Sequence, residues 1–199
     1  MVIIMDLQQN IIMSESVKSP LPHETLSIDE YIGLRALTPE DANAMYNITE
    51  VNRAYLARFL PWVDRTKSKQ DSLEFIDKSL QQRIQGEGYA FGITFNDFLV
   101  GGTSIMHIKD DKTPEIGYWI SEEYSGLGII TKTTIALTNF GFDVLGLKKI
   151  LIRARLNNTG SNRVAEKARY VFVGVYDDTE GTPHNHWVKE KQATEHNSH

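Results

Sequence analysis

The stretch from Thr113 to Leu145, TPEIGYWISEEYSGLGIITKTTIALTNFGFDVL, constrains the fold most, because it reads as a strand, a glycine turn and a long helix. Residues Glu115 to Ile120 are rich in β-formers, Ser121 to Ser125 cannot continue that pattern, and Gly126 and Gly128 let the backbone turn tightly into the helix. The free amides of a helix N-terminus, together with the positive end of its dipole, form a ready site for a phosphate or pyrophosphate. A glycine turn also serves simply to stop a strand or to allow close packing, so both readings stand. The turn lacks the third glycine of a dinucleotide fingerprint, and no Gly-Lys-Ser/Thr follows it to make a nucleotide P-loop.

The remaining elements arrange themselves before and after this unit. Residues 1–26 carry Pro20 and Pro22 and read as an extended arm. Tyr31 to Ala36 is a first strand, followed by a helix that starts at Thr38 and Pro39 and runs to about Glu50. In NRAYLARFLPWV, Tyr55, Leu56, Phe59 and Leu60 fall at helical spacing and Pro61 stops them, leaving Trp62 just beyond a helix end. Ser68 caps a helix with Leu73, Ile76, Leu80 and Ile84 on its apolar stripe, ending at Gly86 and Gly88. Tyr89 to Phe95 and Phe98 to Ile108 flank Asn96-Asp97 as a hairpin, and Asp110 to Lys112 is the next turn. After the long helix come a strand from Lys149 to Leu156, a loop at Asn157 to Gly160, a helix from Ser161 to Ala168, and strands at Tyr170 to Tyr176 and His186 to Lys189. This order predicts an α/β (α+β) domain over residues 27–190, with a mixed central sheet of about seven strands and helices on both faces. Residues 191–199 are expected to be a disordered tail.

Composition narrows the function classes. A chain of 199 residues, 41% hydrophobic and 24% charged, suits one folded domain, and no apolar run is long enough to cross a bilayer. The absence of cysteine excludes disulfides, thiolate nucleophiles and cysteine metal sites; with no signal-peptide pattern at the start, a cytoplasmic protein is expected. The net charge of −5 conceals eight basic residues against two acidic ones between Tyr124 and Val175. A basic segment around an anion-ready turn suits a small polyanionic ligand, whereas the acidic remainder argues against nucleic-acid binding. His184 and His186 stand two apart with no cysteine or carboxylate set, and no metal is assigned to them.

The order of elements, with SGLGI after EIGYWI, NNTGSNRVAEKARYVFVG after LKKILIRARL, and LPW at Leu60 to Trp62, resembles the GNAT superfamily of acyl-CoA N-acyltransferases, in particular its RimJ/RimL-type branch. The resemblance implies a GNAT fold, acetyl-CoA as cosubstrate without a metal, and transfer of acetyl to a primary amine. The acceptor it implies is a protein or peptide N-terminus such as that of a ribosomal protein. A small amine of polyamine or aminoglycoside type and a silent acyl-CoA-binding protein are the alternatives, and a homodimer is left open. The family's pyrophosphate turn maps onto Ser125, Gly126, Leu127, Gly128, Ile129 and Ile130, with Ser125 in place of Gln or Arg and Ile130 in place of a small residue. Tyr118, Trp119, Ile120, Thr131, Asn158 and Ser161 complete the implied cofactor site. The family's Lys-x-Gly-Phe becomes Lys167 to Tyr170, putting Arg169 where glycine is usual; a positive φ there would cost about 1 kcal/mol.

Acetyl transfer from a thioester needs a base or water path for the amine proton and a donor for the departing thiolate. Glu115 resembles the strand glutamate that serves as base in many members, and Glu180, in Asp177 to Glu180, is the second base candidate. A surface carboxylate or salt bridge is the structural alternative for Glu115, and the acidic loop could instead attract a cationic substrate. The proton donor usual in the superfamily would fall at Ala165, so Ser161 is the nearest substitute, with a helix-capping hydroxyl as its plainer reading. Trp62 and Tyr55 could line an amine pocket between the first helices and the sheet or serve as core aromatics; Trp62 is taken as the amine-site candidate and Tyr55 as a core residue.

Overall fold

The computed structural model describes residues 24–109 and 112–192, so most of the expected arm, the Asp110-Asp111 turn and nearly all of the expected tail lie outside the described residues. Eight strands form one sheet: β1 (Thr25–Ser27), β2 (Ile32–Arg35), β3 (Tyr89–Phe95), β4 (Phe98–Met106), β5 (Glu115–Ile120), β6 (Lys149–Arg155), β7 (Val171–Asp177) and β8 (Pro183–Glu190). Their spatial order is β1-β2-β3-β4-β5-β6-β8-β7. The extra strand is β1, which straddles the boundary drawn between the arm and the domain at residue 26. Every neighbouring pair is antiparallel except β5 and β6, which a helical crossover joins in parallel.

The helices are α1 (Ala42–Val51), α2 (Arg53–Leu56), α3 (Lys69–Gln85), α4 (Ile129–Asp143) and α5 (Thr159–Lys167). The period-two alternation of the strands sorts them onto two faces. Phe91 and Tyr89 meet Phe140 of α4 edge-on, and Ile105, Ile116, Ile150 and Ile152 join them in the larger core beneath α4 and α5. On the opposite face Leu37, Ala42, Met45 and Ile76 form a second cluster under α1 and α3, against which Trp119 packs.

Local chemistry fixes the ends of the elements. Asp71 accepts the Ser68 N–H at 2.8 Å and returns its own amide to the Ser68 hydroxyl at 3.4 Å, a reciprocal cap on α3, and Gly86 ends that helix at φ 67°. Asn96 and Asp97 both adopt positive φ, 49° and 66°, the conformation of a two-residue hairpin turn achieved without glycine. The apolar stripe expected on α3 is displaced by one residue at its C-terminal end. Ile84 is exposed, while Arg83 is buried, donating to the Ala90 carbonyl at 2.6 Å with its guanidinium over the Phe91 ring. An arginine satisfies an interior position here because carbonyl and aromatic face both accept positive charge.

Candidate active site

The site begins with an interruption in the sheet. β5 and β6 run on for several residues, yet their only paired position is Glu115 with Leu151. Beyond it the two strands diverge, leaving a wedge bordered by the free edges of Gly117 to Ile120 and Ile152 to Arg155. Unpaired backbone donors and acceptors along such edges can hydrogen-bond an extended chain containing amides.

At the wide end of the wedge stands the glycine turn. Gly126 and Gly128 hold φ of 81° and 79°, and Gly128 is the N-cap of α4. Helix geometry leaves the first amides, at Ile129, Ile130 and Thr131, without intrahelical acceptors, so they present donors and partial positive charge. Of the basic residues between Tyr124 and Val175, Lys132 pairs with Asp29 at 2.8 Å and Arg153 with Glu115 at 2.8 Å.

Two side chains, Asn52, which the sequence reading missed, and Tyr55, which it placed in the core, tie the segment at α2 to this turn. Asn52 is buried, accepts the Glu122 N–H at 2.8 Å and the Ser121 hydroxyl at 3.3 Å, and donates to Ile48 O at 2.8 Å. Tyr55, expected in the core, is instead half-buried with its hydroxyl donating to Ser125 Oγ at 3.2 Å. The only local signal for either was a polar residue at the end of a helical pattern; the partners lie some seventy positions away.

Within the wedge, Tyr118 Oη lies 3.0 Å from Ser161 Oγ, so the strand and the first turn of α5 meet through two hydroxyls. Ser161 is not the cap of its helix. Asn158 caps α5, its Oδ1 accepting the Ser161 N–H at 3.0 Å, so the Ser161 hydroxyl is not used in capping and meets Tyr118 instead. Burial pushes the Tyr118 phenol up to about 12, against a smaller opposing effect of the Ser161 hydrogen bond, so it remains a proton-bearing donor at neutral pH. Asn162 secures the loop from β6 to α5: it donates to Arg155 O and Asn158 O and accepts from Asn185 and from the Trp187 indole.

The other face of the sheet carries a different set. Glu115 is buried and its carboxylate accepts from Arg153 Nε at 2.8 Å, which is the salt-bridge alternative for this residue. Trp119 lies across Gly102, where a Cβ would come within 2.7 Å of the indole nitrogen, and Trp62 meets it edge-on at 5.7 Å. His186 sits opposite Arg153 in the β6–β8 ladder with the Tyr176 ring 4.7 Å away; burial, then the charge of Arg153, lowers its pKa and keeps it neutral. Glu180 occupies the exposed turn between β7 and β8, its amide donating to Asp178 Oδ1 at 2.9 Å. The structure thus gathers Tyr118 and Ser161 on the α4–α5 side and Glu115, Trp119 and Trp62 on the α1–α3 side. Glu180 stands apart at the hairpin tip. Arg169, where the family has glycine, does adopt φ 60°.

A sheet parted between two parallel strands, with an open-amide helix terminus at its wide end, is the framework of an acyl-CoA-dependent acyltransferase. The sequence matches the acetyltransferase (GNAT) domain family over residues 32–171, and the chain belongs to that family. It is 28% identical over 158 residues to the ribosomal-protein-serine acetyltransferase of Escherichia coli (strain K12), a match covering 79% of this chain and 88% of that protein. Among solved structures, the fold superposes with a TM-score of 0.79 on the microcin C7 self-immunity acetyltransferase MccE in complex with acetyl-CoA and AMP, at 22% identity, covering 86% of this chain and 98% of that one. It superposes equally, at TM-score 0.79 and 21% identity, on the ribosomal L7/L12 α-N-protein acetyltransferase RimL in complex with coenzyme A, covering 84% of this chain and 98% of that one.

Proposed function

We propose that this chain transfers acetyl from acetyl-CoA to the N-terminal amine of a protein or peptide, by direct attack within a ternary complex. The observation that carries the reading is the wedge between β5 and β6, with the hydroxyl pair of Tyr118 and Ser161 on one side and Glu115 on the other. The pyrophosphate of acetyl-CoA takes the amides from Gly126 to Thr131. The pantetheine arm lies along the free strand edges, with Asn158 Nδ2 as a further donor. The relative named as a ribosomal-protein-serine acetyltransferase supports a polypeptide acceptor.

Each step then has a group to serve it. The amine enters from the face lined by Trp62 and Trp119, and its proton leaves toward Glu115 as nitrogen attacks the thioester carbonyl. The C–N bond forms, the C–S bond breaks, and the electron pair departs with sulfur toward the opposite face. There Ser161 gives its proton to the thiolate, with Tyr118 donating to Ser161 Oγ behind it. No acyl-enzyme is required, since the chain has no cysteine. Asp177 and Glu180 at the hairpin tip supply negative charge that draws a cationic terminus toward the groove.

The two-hydroxyl donor predicts a graded response. Ser161→Ala leaves the Tyr118 phenol close by, so kcat should fall only about 10-fold, below the 10²–10⁴-fold usual for a positioned acid. Tyr118→Phe alone should cost less, and the double variant more than the product of the two. Single-turnover rates with acetyl-CoA check this; a Ser161→Ala enzyme at full rate would remove Ser161 from the chemistry.

A further inference from the structure

On the face of the sheet that carries Glu115 and Trp119, α1 and α3 pack over β3 and β4. The same face continues beyond them across β6, β8 and β7. Glu115 stands opposite Leu151, and strand alternation puts Leu151, Arg153 and Arg155 on one side of β6. The ladders set His186 against Arg153, and His184 against both Arg155 and Tyr176. Arg153 and Tyr176 are exposed there, and Arg155, His184 and His186 are half-buried, so this part of the face meets solvent beside the wedge.

The arginines of this face are not used alike. Arg153 is engaged by Glu115 at 2.8 Å. Arg155 instead donates from Nη1 to the Arg58 carbonyl at 3.4 Å, a long bond from the end of β6 to the segment after α2. The Arg58 guanidinium lies 4.7 Å from the centroid of the Tyr55 ring, and Tyr55 is bound to Ser125, which holds a second cation at the same mouth. Among the described residues neither Arg58 nor Arg155 makes an ion pair with a carboxylate. Asp178, on which the charge of Arg155 acts, accepts the Glu180 and Thr182 amides at 2.9 and 2.8 Å and stays within its own turn. A guanidinium presents a planar fork that matches a carboxylate, and two of them at one mouth form a site for an acidic side chain. Arg155 stands four residues beyond Leu151 along β6, roughly 13 Å at about 3.3 Å per residue. An extended acceptor with its amine at Glu115 therefore passes within reach of the Arg155 side chain at its second and third residues.

We propose that Arg155, with Arg58 beside it, selects acceptors that carry Asp or Glu at the second or third residue, counting the residue with the free α-amine as the first. The proposal rests on the acetyl-transfer reading and adds the class of acceptor to it: the amine is taken at Glu115 and the acid at Arg155. Three peptides of one length and one first residue, with Glu, Gln or Lys at positions two and three, test it with the full chain and acetyl-CoA. At low ionic strength kcat/KM should be about 5-fold higher for the Glu peptide than for the Gln peptide, the scale of an exposed ion pair, and lowest for the Lys peptide. Added salt should narrow the spread. Arg155→Gln should bring the ratio of Glu to Gln peptide toward one, and Arg155→Glu should make the Lys peptide the best of the three, an inversion that a merely structural arginine does not give. Each ratio is taken within one enzyme preparation, so it does not depend on the fraction of the variant that folds. Equal kcat/KM for the three peptides, or an order that both variants leave unchanged, would overturn this proposal and leave the acetyl-transfer reading standing. Transfer to none of the three would overturn both.

Discussion

Glu115→Gln is expected to lower kcat by about 10²–10⁴-fold, the range for loss of a positioned general base, with the KM for acetyl-CoA little changed. Glu115 lies on the face of β5 that carries Trp119, opposite the face where Tyr118 meets Ser161. In the proposed reaction, the groups that would take the amine proton and protonate the thiolate lie on opposite faces of the sheet. The amide of glutamine still offers Arg153 an acceptor at the 2.8 Å contact, so the fold is preserved while the basic oxygen is lost. The acid limb of kcat/KM against pH should flatten. Glu180→Gln, in an exposed turn, should instead raise the KM of a cationic acceptor and leave kcat within a few-fold. The opposite pattern, with Glu180→Gln nearly inactive and Glu115→Gln nearly normal, would transfer the base role to the hairpin tip.

Ser125→Asp is expected to raise the KM for acetyl-CoA by about 10–100-fold with kcat nearly intact. A negative charge about 5 Å from a phosphate costs roughly 3 kcal/mol at an effective dielectric of about 20, and salt reduces this at an exposed turn. Ser125 immediately precedes Gly126 and is held by the Tyr55 hydroxyl, so the new carboxylate stays beside the amides from Gly126 to Thr131. Ser125→Arg reverses the sign and should lower the same KM. Raising ionic strength should shrink both effects. If both substitutions weaken binding equally, the turn is a packing device and the pyrophosphate lies elsewhere.

The turn, its two glycines and the long helix were legible because strand propensity, a run of breakers and a glycine pair occur in sequence order. Helix caps at Ser68 and hairpin geometry at Asn96-Asp97 were legible for the same local reason. What could not be read was set by distant partners. The single pairing of Glu115 with Leu151, which opens the wedge, depends on how α4 returns the chain to the sheet. The contacts of Asn52 with Glu122 and of Glu115 with Arg153 join residues far apart in the chain. β1 has three residues and no alternation to announce it, and the polar HNH of β8 hid a strand that begins at Pro183. Ser161 lay one turn from its true capping residue, because Asn158, Thr159 and Ser161 all carry capping side chains and only the fold selects Asn158.

The most direct measurement is mass spectrometry of acceptors after incubation of the full chain with acetyl-CoA. The acceptors are a panel of peptides with free N-termini, the same peptides blocked at the α-amine, polyamines and aminoglycosides. The account predicts one acetyl group on the α-amine of unblocked peptides, no modification of blocked ones, and unmodified enzyme when acetyl-CoA is supplied alone. Acetylation confined to polyamines or aminoglycosides, or no transfer to any amine in the panel, would contradict it.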